Sequence, residues 1–92
     1  MKKILFVDDE SKILEGLRRM LRPMRHEWEM DFVTSGTEAL ETLAAQRFDA
    51  VVSDMRMPGM NGAQLLSEVM RHYPHVVRIM LSGYSGASAS GL

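Results

Sequence analysis

Two short apolar runs that each end in carboxylates constrain this chain more than anything else in it. The run Ala50-Val51-Val52-Ser53 delivers Asp54, and a Pro58-Gly59 turn then redirects the chain into a helical pattern beginning near Asn61. Far upstream, Ile4-Leu5-Phe6-Val7 delivers Asp8 and Asp9 in the same way. Uninterrupted apolar runs of this length suit strands covered on both faces of a parallel sheet. Placed side by side, two such strands bring their carboxylates to the carboxyl edge of the sheet, where open α/β sheets bind ligands. Carboxylates gathered there raise one another's pKa until one keeps its proton, unless a cation joins them. Mg²⁺ suits such a set, since it takes one or two carboxylates together with water and phosphate oxygens. With the metal in place, Asp54 can act as a carboxylate nucleophile toward a phosphoryl group. The plainer alternative for Asp8 and Asp9 is that they cap the following helix at its positive dipole end. Asp54 at an equivalent strand end, followed by its Pro-Gly loop, favours a site.

The rest of the chain supplies the frame. Ile13, Leu14, Leu17, Met20 and Leu21 recur at helical spacing and predict a first helix that buries one stripe and ends at Pro23. Trp28, Met30 and Phe32 alternate with Glu29 and Asp31 before Val33, the pattern of a strand at a sheet edge. Ser35 followed by Glu38 predicts a reciprocal capping box, opening a second helix with Ala39, Leu40, Leu43 and Ala44 inward. Leu65, Leu66, Val69 and Met70 mark a third helix closed by Tyr73-Pro74, and 76–81 predicts a fourth strand ended by Ser82-Gly83. Three strand-helix units and a further strand imply right-handed crossovers and a parallel sheet.

Composition narrows the function classes. Ninety-two residues make one small domain, and a net charge of −1 gives no long-range pull toward nucleic acid or an acidic membrane surface. Cysteine is absent, which excludes a disulfide framework and a thiol nucleophile. Two lysines and a short apolar run open the chain, but the acidic residues arrive too soon for a signal peptide or a spanning helix, so a cytoplasmic protein is expected. Arg18, Arg19, Arg22 and Arg25 are interleaved with Glu15, Glu27 and Glu29 and read as a solvated helix face. His26, His72 and His75 lack a metal-ligand spacing and read as surface residues, and the methionines at 55, 57, 60, 70 and 80 read as adaptable packing.

Together the segments Phe6-Val7-Asp8-Asp9-Glu10, Ser53-Asp54-Met55-Arg56-Met57-Pro58-Gly59-Met60-Asn61-Gly62 and Ile79-Met80-Leu81-Ser82-Gly83 resemble the receiver domain of two-component response regulators. The resemblance implies a flavodoxin-like, doubly wound α/β sheet. It implies Mg²⁺ held by Asp8, Asp9, Asp54 and the backbone carbonyl of Arg56. It further implies Asp54 as the phosphoacceptor of a histidine kinase or other phosphodonor, and Ser82 as the switch hydroxyl that turns toward the phosphoryl group. Such a domain is a signalling module, not an enzyme with turnover on a diffusible substrate.

The chain departs from that family after its fourth strand. A complete receiver goes on to a fourth helix, a fifth strand ending in a lysine, and a fifth helix, whereas the lysines here are Lys2, Lys3 and Lys12. The expectation is therefore a truncated receiver over 1–84 with strand order 2-1-3-4, lacking the fifth strand and last two helices, and a flexible Gly/Ser/Ala-rich tail over 85–92. Arg56, two residues after Asp54, is a candidate to replace the missing lysine. Strand 76–81 would then be an apolar edge, and its loss of cover would cost roughly 1–2 kcal/mol per large residue. That predicts a homo-oligomer through 76–81 and, as the alternative function, a phosphorylation-independent dimerisation module.

Overall fold

β1 (Lys2–Val7) runs through the middle of a parallel sheet, flanked by β2 (Trp28–Val33) on one side and β3 (Ala50–Asp54) on the other. β4 (Val77–Leu81) pairs with β3, which gives the order β2-β1-β3-β4. This is a computed structural model, and it describes residues 1–81. Three α-helices make the crossovers: α1 (Ser11–Met20), α2 (Gly36–Ala45) and α3 (Gly62–His72). The expected flavodoxin-like doubly wound architecture and strand order are both present. Among the described residues there is no fifth strand and no fourth α-helix. Ser82, Gly83 and the tail expected over 85–92 lie outside the described residues.

The two faces of the sheet carry separate cores, as alternation along each strand dictates. Leu5, Val7, Val33 and Val51 point to the side covered by α2 and α3, where Ala39, Leu43, Leu65 and Val69 meet them with Phe48, Met57 and Val76. Phe6 and Val52 point the other way, against Leu14, with Leu17, Leu21, Met30 and Phe32 around them. The Phe6 and Phe32 rings stack there with centroids 5.1 Å apart, and the Arg18 guanidinium lies over Phe32 at 4.6 Å.

Each helix buries a narrower stripe than its apolar residues suggested. In α2 and α3 the first i, i+4 pair is buried (Ala39 with Leu43, Leu65 with Val69), Leu40 and Leu66 are half-buried, and Ala44 and Met70 face solvent. In and just after α1, Leu14, Leu17 and Leu21 fall within one arc, while Ile13 and Met20 sit about 75–95° round from its centre at 100° per residue and are exposed. Pro23 does more than stop the helix. It opens a 3₁₀ turn, Arg22–His26, that leads into β2. Val76 also departs from expectation: its N–H bonds the Tyr73 carbonyl and its side chain enters the core, so the fourth strand begins at Val77.

The capping box at the start of α2 is one-sided. Ser35 Oγ accepts from the Glu38 N–H at 3.0 Å, but the Glu38 carboxylate reaches past Ser35 to the N–H and hydroxyl of Thr34. The reciprocal box is at α3, where Asn61 Oδ1 accepts from the Gln64 N–H and Gln64 Oε1 from the Asn61 N–H, at 2.8 and 2.9 Å.

Candidate functional site

Parallel pairing of β1 with β3 aligns Val7 with Ser53, so the residues that follow, Asp8 and Asp54, emerge together at the carboxyl edge. Asp8 remains attached to the sheet through its N–H, which donates to the Val33 carbonyl at 3.1 Å. Its carboxylate, only 8 % exposed, accepts the Glu10 N–H at 2.9 Å. Asp9 is exposed and Asp54 half-buried. One carboxylate oxygen from each of Asp8, Asp9 and Asp54 lies within 4.8 Å of the others.

Neither Asp8 nor Asp9 caps α1. The N-cap position belongs to Glu10, which makes no side-chain cap bond. The capping account of the acidic pair therefore fails, and the three carboxylates share one small volume. Burial pushes the Asp8 carboxyl above the ordinary carboxylate range, the charges of Asp54, Asp9 and Glu10 push the same way, and the Glu10 N–H opposes them. No Lys, Arg or His among the described residues forms a salt bridge with the triad; the two salt bridges present join Arg71 and His72 to Glu68 on α3. An all-oxygen, acidic donor set with no cationic side chain fits a hard divalent cation such as Mg²⁺.

The loop after Asp54 is tied down at both ends. Met57 turns into the core, 8 % exposed, and Gly59 takes φ +73°, a left-handed conformation that a side chain would strain. The Gly62 N–H closes the loop on the Met55 carbonyl at 2.9 Å. Arg56 is exposed on this loop beside Pro58 and Asn61, and it forms no salt bridge with Asp54. Met55 is exposed as well, so the methionines do not all serve packing as expected. The three histidines and the arginines of α1 and the 3₁₀ turn are on the surface.

Two residues at the ends of the segment 53–62 were given no role from the sequence. Ser53 is fully buried and its hydroxyl donates to the main-chain carbonyl of Asp54 at 2.9 Å. Gly62 packs directly against that same carbonyl. The Asn61–Gln64 box does have a signature, since its spacing repeats that of Ser35 and Glu38.

An acidic triad at the carboxyl edge of a 2-1-3-4 parallel sheet defines a class, and comparison with known proteins gives that class its family. Residues 4–90 match the response regulator receiver domain, and the chain belongs to that family. It is 39 % identical over 82 residues to the hydrogenase transcriptional regulatory protein HoxA of Cupriavidus necator, covering 89 % of this chain and 16 % of that one. Against the response regulator protein FleR of Pseudomonas aeruginosa the identity is 38 %, over 89 % of this chain and 17 % of the relative. The chain thus spans about a sixth of these relatives' length. Among solved structures, the response regulator TrrA of Thermotoga maritima in complex with Mg²⁺-BeF superposes with a TM-score of 0.83 at 34 % identity, covering 97 % of this chain and 76 % of that one. The complex of the histidine kinase ThkA with TrrA gives 0.81 at 35 % identity, over 92 % of this chain and 72 % of that one.

Proposed function

We propose that this receiver domain accepts a phosphoryl group on Asp54, with Mg²⁺ held by Asp8, Asp9, Asp54 and the main-chain carbonyl of Arg56. The observation that carries the reading is the convergence of three carboxylates within 4.8 Å with no cationic side chain among the described residues bridging them. One relative, solved both with Mg²⁺-BeF and with a histidine kinase, supports the choice of metal and donor. In the transfer, an Asp54 carboxylate oxygen attacks phosphorus and forms a new O–P bond. The P–N bond of a phosphohistidine, or the P–O bond of an acyl phosphate, breaks, and its electron pair leaves with the donor. The metal would supply charge neutralisation at the transferred oxygens. Asp8 and Asp9 hold the negative field that recruits it, and the Ser53 hydroxyl and Gly62 hold the Asp54 backbone. The module signals from the cytoplasm and turns over no diffusible substrate.

Intact-mass measurement with Mg²⁺ and an acyl phosphate, beside Asp54→Ala, tests this. The expected result is a single phosphoryl adduct on the parent that requires Mg²⁺ and is lost in the variant. An adduct of equal yield on Asp54→Ala, or none on a folded parent, would sink the proposal.

A second reading has its own observation. Val77, Ile79 and Leu81 line one face of β4 and are 57, 43 and 39 % exposed. A second copy of the chain pairing along β4 would cover them and satisfy the edge. Light scattering at micromolar concentration should then show a dimer that Ile79→Lys dissociates; a monomeric parent rules it out.

A further inference from the structure

We infer that Gly62 is a positioning residue for Asp54. The inference rests on the reading of Asp54 as phosphoacceptor and metal ligand, and concerns what fixes that carboxylate in place. Gly62 is the first residue of α3, buried, with its N–H bonded to the Met55 carbonyl. A Cβ built on it would run into the Asp54 carbonyl oxygen and come within 2.9 Å of Met55 Cα and 3.0 Å of the Asp54 carbonyl carbon. All three atoms are backbone, so no rotamer change relieves the clash. Either α3 backs away or the end of β3 moves.

The end of β3 is the weaker member. α3 is locked by its reciprocal Asn61–Gln64 box and by the fully buried Leu65 and Val69. Asp54 is the last residue of its strand, and the Ser53 hydroxyl grips it by the same carbonyl oxygen. A shift of that carbonyl swings the Asp54 side chain out of register with Asp8 and Asp9. The missing Cβ at 62 is thus what lets the helix end rest on the acceptor's backbone and fix its carboxylate.

Gly36 supplies the contrast. A Cβ there would meet only the Met60 side chain, with Sδ at 2.7 Å, Cγ at 3.0 Å and Cβ at 3.1 Å, so a rotamer change and a shift of a few tenths of an ångström relieve it without moving the Asp54 backbone. Crowding at 36 costs packing, and crowding at 62 costs geometry.

The test compares Gly62→Ala with Gly36→Ala, each also in a Gly16→Ala background. Gly16 is exposed within α1 with open space around its Cα, so that change adds helix stability without touching the site. Thermal melts establish folding, calorimetric titration with Mg²⁺ alone reads affinity, and a crystal structure of folded Gly62→Ala reads the carboxylate. Expected are a loss of about tenfold in Mg²⁺ affinity for Gly62→Ala and an Asp54 carboxylate displaced from Asp8 by about 0.5 Å or more. Gly36→Ala is expected to melt earlier with Mg²⁺ affinity within about twofold of the parent. Unchanged affinity and an undisplaced carboxylate in Gly62→Ala overturn the inference. Failure of Gly62→Ala to fold in either background also overturns it, because the glycine would then serve the fold and not the site. A parent that binds no Mg²⁺ refutes the metal-site reading instead, and the carboxylate position still decides the role of Gly62.

Discussion

β3 has an aspartate at each end of its path, and the two are treated in opposite ways. Asp49, just before the strand, is built into the chain: its carboxylate accepts the Lys3 N–H at 2.8 Å, its own N–H donates to the Lys3 carbonyl at 2.7 Å, and its carbonyl accepts from Val77 at 2.9 Å. Beside it the Lys3 ammonium bonds Gln46 Oε1 and lies 5.1 Å from the Phe48 ring centre. Asp54, at the far end, sits beside two further carboxylates with no salt bridge to any of them among the described residues. One aspartate ties three segments together at the floor of the sheet. The other has no such tie among the described residues. Charge placed where the fold cannot satisfy it marks function more reliably than charge that is already paired.

The largest effect that would break this contrast is at Asp8. Asp8→Asn keeps the acceptor for the Glu10 N–H but removes a charge, so Mg²⁺ affinity should fall at least about tenfold. The metal-free protein should meanwhile melt a few degrees higher, about the response of a small domain to 1 kcal/mol. Calorimetric titration and thermal melts read both; a variant less stable than the parent would show that the triad does not strain the fold.

Asp49→Ala should do the reverse. Loss of the bond to the Lys3 N–H costs about 1 kcal/mol, or roughly 4–8 °C in melting temperature, with Mg²⁺ affinity unchanged. A fall in affinity there would mean that the two ends of β3 are coupled.

The smallest effect sharpens the comparison through pH. Because Asp8 titrates above its unfolded value, the folded chain holds that proton more tightly than the unfolded one. Its contribution is therefore complete below the ordinary carboxylate pKa and is lost as pH rises through the raised value. Denaturant melts should show metal-free parent losing stability against Asp8→Asn across that window. Saturating Mg²⁺ should erase the difference at neutral pH.

The frame of this site was legible because it rests on local patterns. Ile4 to Val7 and Ala50 to Val52 are apolar without interruption, and both turned out to be interior strands of a parallel sheet. Glu29 and Asp31 announced the edge, and β2 is there. What the sequence concealed depends on how closely elements dock. Ile13 and Met70 look as apolar as Leu14 and Val69, and only the position of the sheet decides which of them it covers. Nothing about Gly62 in isolation separates it from Gly16, yet one meets a carbonyl and the other meets open space. Ser53 resembles any serine near a strand end until its burial and its bond to Asp54 are seen. The Asn61–Gln64 box was readable from spacing alone, whereas the Ser35–Glu38 pair had the right spacing and closed only in part.

The central place of β1 has a consequence for the order in which the molecule assembles. Of the four strands β1 is made first and meets β2 after a single crossover, but it must wait through a second crossover for β3. The acidic pair and Asp54 come from opposite sides of that wait, so their mutual repulsion is absent while the first two strands pair and enters when the second of the three crossovers closes. Repulsion that arrives with that docking weighs on the assembled sheet and not on the first pairing. On the reading of the triad as a metal site, a divalent cation that relieves this repulsion would slow the opening of the finished domain.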